Sequence, residues 1–162
     1  MAKALDSLDR KILAAMQADS SLSLEDLALK VQSSKTPVWN RLRKLRNLGV
    51  IKKEVAVLDA QKLGLNACFF VLVRTSQHEK QWQQDFLAQL HARPEIQEAH
   101  RLAGDIDYLL KVQVKDPADF DRFYQELVSH ISIYNVTSLL SMQEIISTTA
   151  LHFEHDETAV KE

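Results

Sequence analysis

Long apolar runs, cysteines, glycines and prolines are all scarce in this 162-residue chain. No stretch approaches the about 18 consecutive apolar residues of a membrane span, so none is expected. The opening MAKALDSLDRKIL lacks the uninterrupted apolar core of a secretory signal. A single cysteine, Cys68, excludes an internal disulfide. Lying in an apolar, strand-like run, it reads as core packing and suits a reducing compartment. The expectation is a soluble cytoplasmic protein. The three glycines and three prolines read as punctuation. Gly49 caps a helix in the left-handed conformation, Gly64 lies in a linker and Gly104 in a strand-to-strand turn. Pro37 and Pro117 sit in first helical turns, and Pro94 closes a helix.

A local absence says more. From Lys35 to Lys53 there is no carboxylate, but there are seven cations: Lys35, Arg41, Arg43, Lys44, Arg46, Lys52 and Lys53. Up to Leu58 the chain holds 11 Lys and Arg against 6 Asp and Glu; beyond it, 9 against 16. The whole is slightly acidic, so the charge is segregated, and a polyanion would be drawn to one end and repelled by the rest.

The first third carries helical periodicity. Leu5, Leu8, Ile12 and Met16 mark a first helix capped by Asp6 or Ser7. Ser23 opens a second, with Leu24, Leu27, Ala28 and Val31 inward. After a polar turn a third runs from about Lys35 to Leu48, with Ser34 as cap and Val38, Leu42 and Leu45 inward. Two helices around a short polar turn, the second strongly basic, form a helix-turn-helix pattern. Ile51 to Leu58 reads as a short strand or extended hinge. The pattern then changes: a strand at Ala67 to Thr75, a helix at Glu79 to Arg93, strands at Ile96 to Ala103 and Tyr108 to Val114 around a Gly104–Asp107 hairpin, a helix at Pro117 to Ile131 and a last strand at Val136 to Leu151. The fold class is α+β: a helix-turn-helix domain (1–50), a hinge strand and linker (51–65), a ferredoxin-like βαββαβ domain (66–155) and a frayed tail (156–162). The uncovered sheet face predicts dimerisation through the sheets.

On the third helix the inward residues leave Lys35, Thr36, Trp39, Asn40 and Arg43 outward. Arg or Lys pairs well with guanine and Asn with adenine in a major groove that admits a helix. Ser33, Ser34 and Thr36 suit phosphate oxygens at the helix N-terminus. Arg41, Lys44 and Arg46, with Lys52 and Lys53 in the hinge, are expected to meet backbone phosphates. A solvated basic surface is the competing reading; placement after a short turn and an outward Trp favour double-stranded DNA. In the turn Leu102-Ala103-Gly104-Asp105-Ile106-Asp107-Tyr108, two carboxylates could receive an ammonium, or Gly104 and Asp105 could simply make the turn while Asp107 caps N–H groups. His152-x-x-His155 lacks the ligands of a tetrahedral metal site. No nucleophile elbow, phosphate loop or carboxylate pair is visible, so neither an enzyme nor a cofactor is expected.

With LDRKIL, SKTPVWNRLRKLRNLGVI, AGDIDYLLKVQVKD and VTSLLSMQEIISTTAL in this order, the chain resembles the leucine-responsive and asparagine-regulator (Lrp/AsnC) family of transcription factors from about Leu5 to Phe153. The resemblance implies a winged-helix-like DNA reader and a domain that senses small molecules, usually amino acids. It also implies dimers that assemble into tetramers or octamers, with effectors in a cleft between dimers. The matching effector positions are Leu102, Ala103, Gly104, Asp105, Asp107 and Tyr108 on the turn, with Ser138, Leu139, Leu140 and Ser141 on the last strand. Asp107 is the implied partner of an α-ammonium. Lys35 stands where many members have a small residue or Pro, and Val136 and Ser138 replace paired threonines. The wording around Trp39 and VTSLLSMQ is similar to a cysteine-responsive subgroup. The alternative is a small-molecule-binding oligomeric scaffold whose N-terminal helices contact proteins.

Overall fold

In the computed structural model, residues 5–77, 79–131 and 133–153 are described. The tail from 156, His78 and His155 lie outside them. The chain divides into two compact units. One comprises the residues to Val57 together with the segment from Ile146; the other runs from Leu58 to Ile145.

The first unit is built on α1 (Ser7–Ala18), α2 (Leu24–Lys30) and α3 (Lys35–Asn47). Asp6 caps α1 in a reciprocal box: its side chain accepts from the Asp9 N–H, and the Asp9 side chain accepts from the Asp6 N–H. Ser23 caps α2 through the Asp26 N–H at 3.1 Å. Ile12, Leu13, Leu27, Val31, Val38, Leu42 and Leu45 form the core, with Leu5, Leu8, Met16, Ile51 and Phe153 packed around it. Burying each large aliphatic side chain contributes about 1.5–3 kcal/mol before entropy is set against it.

Both ends of the helix-turn-helix close with the same hydrogen-bonded motif. After α2, the Gln32 N–H reaches the Leu29 carbonyl and the Ser33 N–H the Ala28 carbonyl. After α3, Gly49 and Val50 donate likewise to Arg46 and Leu45. The left-handed position is Gly49 (φ 70°) in one and Gln32 (φ 54°) in the other.

In the second unit β1 (Ala67–Arg74), α4 (Lys80–His91), β2 (Ile96–Arg101), β3 (Tyr108–Val114), α5 (Pro117–His130) and β4 (Asn135–Leu140) build an antiparallel sheet in the order β2-β3-β1-β4. Alternate residues of β1 and β3 (Phe69, Val71 and Val73; Tyr108, Leu110 and Val112) are buried together with Phe86 and Leu90 of α4 and Phe120, Phe123 and Leu127 of α5. Phe69 stacks on Phe120 with ring centroids 3.8 Å apart, and Phe86 meets Tyr108 at 4.8 Å. The opposite sheet face carries Phe70, Leu72, Leu109 and Leu139, partly or fully exposed.

Two strands differ from expectation. Residues 51–58 are in no ladder, because a strand needs a partner and none lies within the chain among the described residues. The last strand stops at Leu140 rather than Leu151. It pairs only with β1, whose ladder ends where the Ser141 N–H donates to the Cys68 carbonyl at 2.8 Å. The segment beyond leaves the sheet. Gln17 holds it on α1: its amide nitrogen donates to the Leu151 carbonyl at 3.0 Å, and its amide oxygen accepts from the Leu151 N–H at 2.6 Å.

Candidate nucleic-acid interface and effector turn

An α-helix advances 100° per residue, which sorts α3 into sectors. Val38, Leu42 and Leu45 are buried on one side. Thr36, Trp39, Asn40 and Arg43 are exposed opposite them, Trp39 at 50%. The remaining cations of α3 occupy the flanks, and internal carboxylates meet them there. On one flank Arg41 binds Asp6 and also Asp9 at 3.2 Å, while the Lys44 Nζ donates to Asp9 Oδ2 at 2.6 Å. On the other, Lys35 pairs with Glu25 at 2.9 Å and Arg46 with Glu54 at 2.7 Å.

These contacts are unequal. The Lys35 and Arg46 pairs are exposed on both sides and contribute at most about 1 kcal/mol each, so a phosphate could replace the carboxylate. Asp9 is fully buried, the only buried charged or polar residue among those described. The Asp9 N–H, donated to its carboxylate, holds Asp6 below the usual carboxylate range, and Arg41 adds to the effect. Sequence reasoning placed Arg41 and Lys44 on phosphates; in the folded unit both are held by α1. Arg43, Lys52 and Lys53 have no ion pair among the described residues.

The N-terminus of α3 is open. Ser34 occupies the cap position but makes no side-chain capping bond, and Ser33 is half-buried beside it. The first N–H groups of the helix therefore face outward with two hydroxyls nearby, an arrangement suited to a phosphate.

In the second unit, the turn after β2 is held by three bonds centred on Asp107. The Leu102 N–H donates to its carbonyl at 2.8 Å, its N–H donates to the Val73 carbonyl at 3.0 Å, and its Oδ2 accepts from the Thr75 N–H at 2.7 Å. Asp107 is thus a capping residue, and its second oxygen makes no bond among the described residues. Leu102, Ala103, Gly104 and Asp105 are exposed. At Gly104 (φ 143°) an added Cβ would meet nothing within 4 Å, so the backbone conformation, not crowding, calls for glycine.

Tyr108 is buried in the core, while Ser138, Leu139 and Leu140 are exposed on β4 and Ser141 is half-buried. By register, Val136 pairs with Val73, which pairs with Tyr108, so β1 and β3 separate β4 from β2. The turn and Ser138–Ser141 share one sheet without forming one pocket of a single chain. A shallow depression does border the turn, lined by Thr75, Gln77, Trp82, Arg101, Asp107 and Tyr108. Arg101 was not foreseen; its only sequence signal is a cation immediately before the turn. No group of three His, Cys, Asp or Glu among the described residues could hold a metal. No described helix is long and apolar enough to cross a membrane.

Comparison with known proteins agrees with both units. Residues 5–46 match the AsnC-type helix-turn-helix domain and residues 68–151 the Lrp/AsnC ligand-binding domain. The chain is 41% identical over 151 residues to the DNA-binding transcriptional activator DecR of Escherichia coli K12, covering 93% of this chain and 99% of that protein. It is equally similar to the glutamate uptake regulatory protein of Zymomonas mobilis, over 93% and 92% of the two chains. The crystal structure of an AsnC family regulator from Agrobacterium tumefaciens superposes with a TM-score of 0.88 at 43% identity, over 91% of this chain and 96% of that one. A Neisseria meningitidis regulator solved in complex with L-Met gives 0.89 at 30% identity, over 94% and 99%. The chain therefore belongs to the Lrp/AsnC family of transcriptional regulators, which are not enzymes, and joins a helix-turn-helix DNA-binding domain to a ligand-binding domain.

Proposed function

We propose that this regulator reads a specific operator through α3 and that a free amino acid changes its assembly and DNA binding. The exposed row Thr36, Trp39, Asn40 and Arg43 opposite a buried stripe carries the DNA part. Asn40 and Arg43 offer bidentate pairing to adenine and guanine, and Trp39 an apolar surface in the groove. Ser33, Ser34 and the α3 N-terminus take one phosphate, with Lys35, Lys52 and Lys53 adding charge.

The effector part rests on Arg101 and Asp107 bordering one depression, a cation for a carboxylate and an anion for an α-ammonium. Tyr108 lines it, Leu102, Ala103, Gly104 and Asp105 form the adjoining turn, and in this reading Ser138, Leu139, Leu140 and Ser141 complete the site from a second dimer. Cysteine is the first effector to try, with methionine beside it because a related regulator was solved with L-Met. The protein is a homo-oligomer whose sheets pair through Phe70, Leu72 and Leu139. An effector acts only by binding two assembly states unequally.

The experiment is selection of duplexes from a random library by the full chain, with and without each amino acid. Arg43→Ala is expected to flatten base preference at one position, a loss of about 1–3 kcal/mol, while Lys52→Ala weakens all sequences alike. Enrichment of no motif would refute the reading.

A further inference from the structure

We infer that Asp9 is a positioning residue for DNA recognition: by holding Arg41 and Lys44 it fixes the recognition helix and withholds two cations from DNA. The inference rests on the proposed reading of DNA by α3.

Three observations carry it. Asp9 has no exposed surface, and both of its carboxylate oxygens accept from cations of α3, at 3.2 Å from Arg41 and 2.6 Å from Lys44. The two cations lie one turn apart on a single flank of α3, so the pair of bonds resists both rotation and sliding of the helix. Asp9 is itself tied at its backbone, because its N–H donates to Asp6 Oδ1 at 2.9 Å and Asp6 also binds Arg41. The chain from carboxylate to reading face is short: Arg41 and Lys44 bracket Arg43 in sequence, and Asn40 precedes Arg41. A few degrees of rotation would carry Asn40 and Arg43 off the base edges they are placed to meet. Asp9 reaches no nucleic acid itself.

A second consequence concerns charge. Four cations of α3 are matched by carboxylates, but only Arg41 and Lys44 are matched by a buried one. Lys35 and Arg46 can exchange exposed partners for phosphate. Arg41 and Lys44 cannot leave without stranding a buried carboxylate. Non-specific attraction is thereby limited, which raises the ratio of selected to random binding.

The test compares the full-length wild type with Asp9→Asn, Lys44→Met and Lys52→Ala. The probes are a duplex selected by the wild type and a shuffled duplex of equal length, titrated from low to physiological salt. Each phosphate neutralised contributes about 0.9 to the slope of log affinity against log salt. Lys52→Ala is the control: its slope falls by about 0.9 and its selected-to-shuffled ratio is unchanged. Lys44→Met should keep the wild-type slope while the ratio falls several-fold. Asp9→Asn frees Lys44 and leaves Arg41 only its part-exposed pair with Asp6, which a phosphate can replace, so its slope should rise by about 0.9 to 1.8 and its ratio fall tenfold or more. A merely structural Asp9 would lower the folded fraction but move neither slope nor ratio of the folded protein. A Lys44→Met slope reduced by about 0.9 would show Lys44 on a phosphate and overturn the inference. So would a folded Asp9→Asn with the wild-type ratio. If Asp9→Asn does not fold, the Lys44→Met slope and ratio decide alone. A wild type that enriches no duplex sinks the DNA reading, and this inference with it.

Discussion

Gln32 and Gly49 occupy the same place in two copies of one helix-ending motif, yet only one is glycine. A left-handed conformation costs an ordinary residue about 1–2 kcal/mol, partly offset because glycine loses more backbone freedom on folding. Gln32→Gly is therefore expected to stabilise the N-terminal unit by about 0.5–1 kcal/mol, measured by thermal unfolding of the full chain. A destabilised Gln32→Gly would show that the glutamine side chain has a role its exposure does not reveal. Asp6 gives a pH prediction. Its folded-state pKa lies below the unfolded value, so its stabilisation is complete at neutral pH and is lost as pH falls through the acid range below about 4. Asp6→Asn keeps a capping side chain without the titrating charge. Between pH 7 and 3 its melting temperature should fall less than that of the wild type, and parallel curves would remove Asp6 as the cause. Single residues also mark the limit of the sequence. Val38, Leu42 and Leu45 declare the buried stripe of α3 by spacing alone. That Arg41 and Lys44 turn toward Asp9 is invisible in the sequence, because it depends on where α1 packs.

Elements were legible where their pattern is local and uncertain where they need a partner. The helices, the succession of strands along the chain and the hairpin follow from periodicity, caps and turn residues. The extents of 51–58 and of β4 do not, because a ladder ends where its neighbour ends and the apolar sequence continues past that point. In place of the longer strand the chain makes a contact with no sequence signal, the Gln17 amide paired with both backbone groups of Leu151. The chain thus passes between the two units at two places, after Val57 and before Ile146. Each exposed hydrogen bond adds about 0.5–1.5 kcal/mol. Gln17→Ala should accordingly speed hydrogen exchange of the Leu151 amide about tenfold and leave the α1 core amides unaffected. If that amide already exchanges at the unprotected rate in the wild type, the contact is not maintained in solution.

At the scale of the molecule, charge and apolar surface are divided between the ends of the chain. The N-terminal third is basic and the remainder acidic, so DNA is attracted where α3 lies and repelled from the ligand-binding unit. The ligand-binding unit has one sheet face covered by α4 and α5 and the other showing Phe70, Leu72, Leu109 and Leu139 to solvent. Phe70 points away from the core of its own unit, as its register partners Lys111 and Leu139 do. Replacing it therefore separates assembly from folding, which a core substitution could not. Phe70→Lys sets like charges near each other across any pairing of these faces, yet removes nothing buried among α4 and α5. Sedimentation equilibrium should show the variant shifted to monomer while the unfolding midpoint at low protein concentration changes by only a few degrees. DNA binding then gives a second reading of the same event. Two linked recognition helices bind two half-sites about one helical turn apart, whereas a monomer engages one and loses the gain in effective concentration. Phe70→Lys should weaken binding to a two-half-site duplex by at least a hundredfold and leave the affinity for a single half-site nearly unchanged. Equal loss on both duplexes would mean that the sheet face acts on α3 by a route other than pairing.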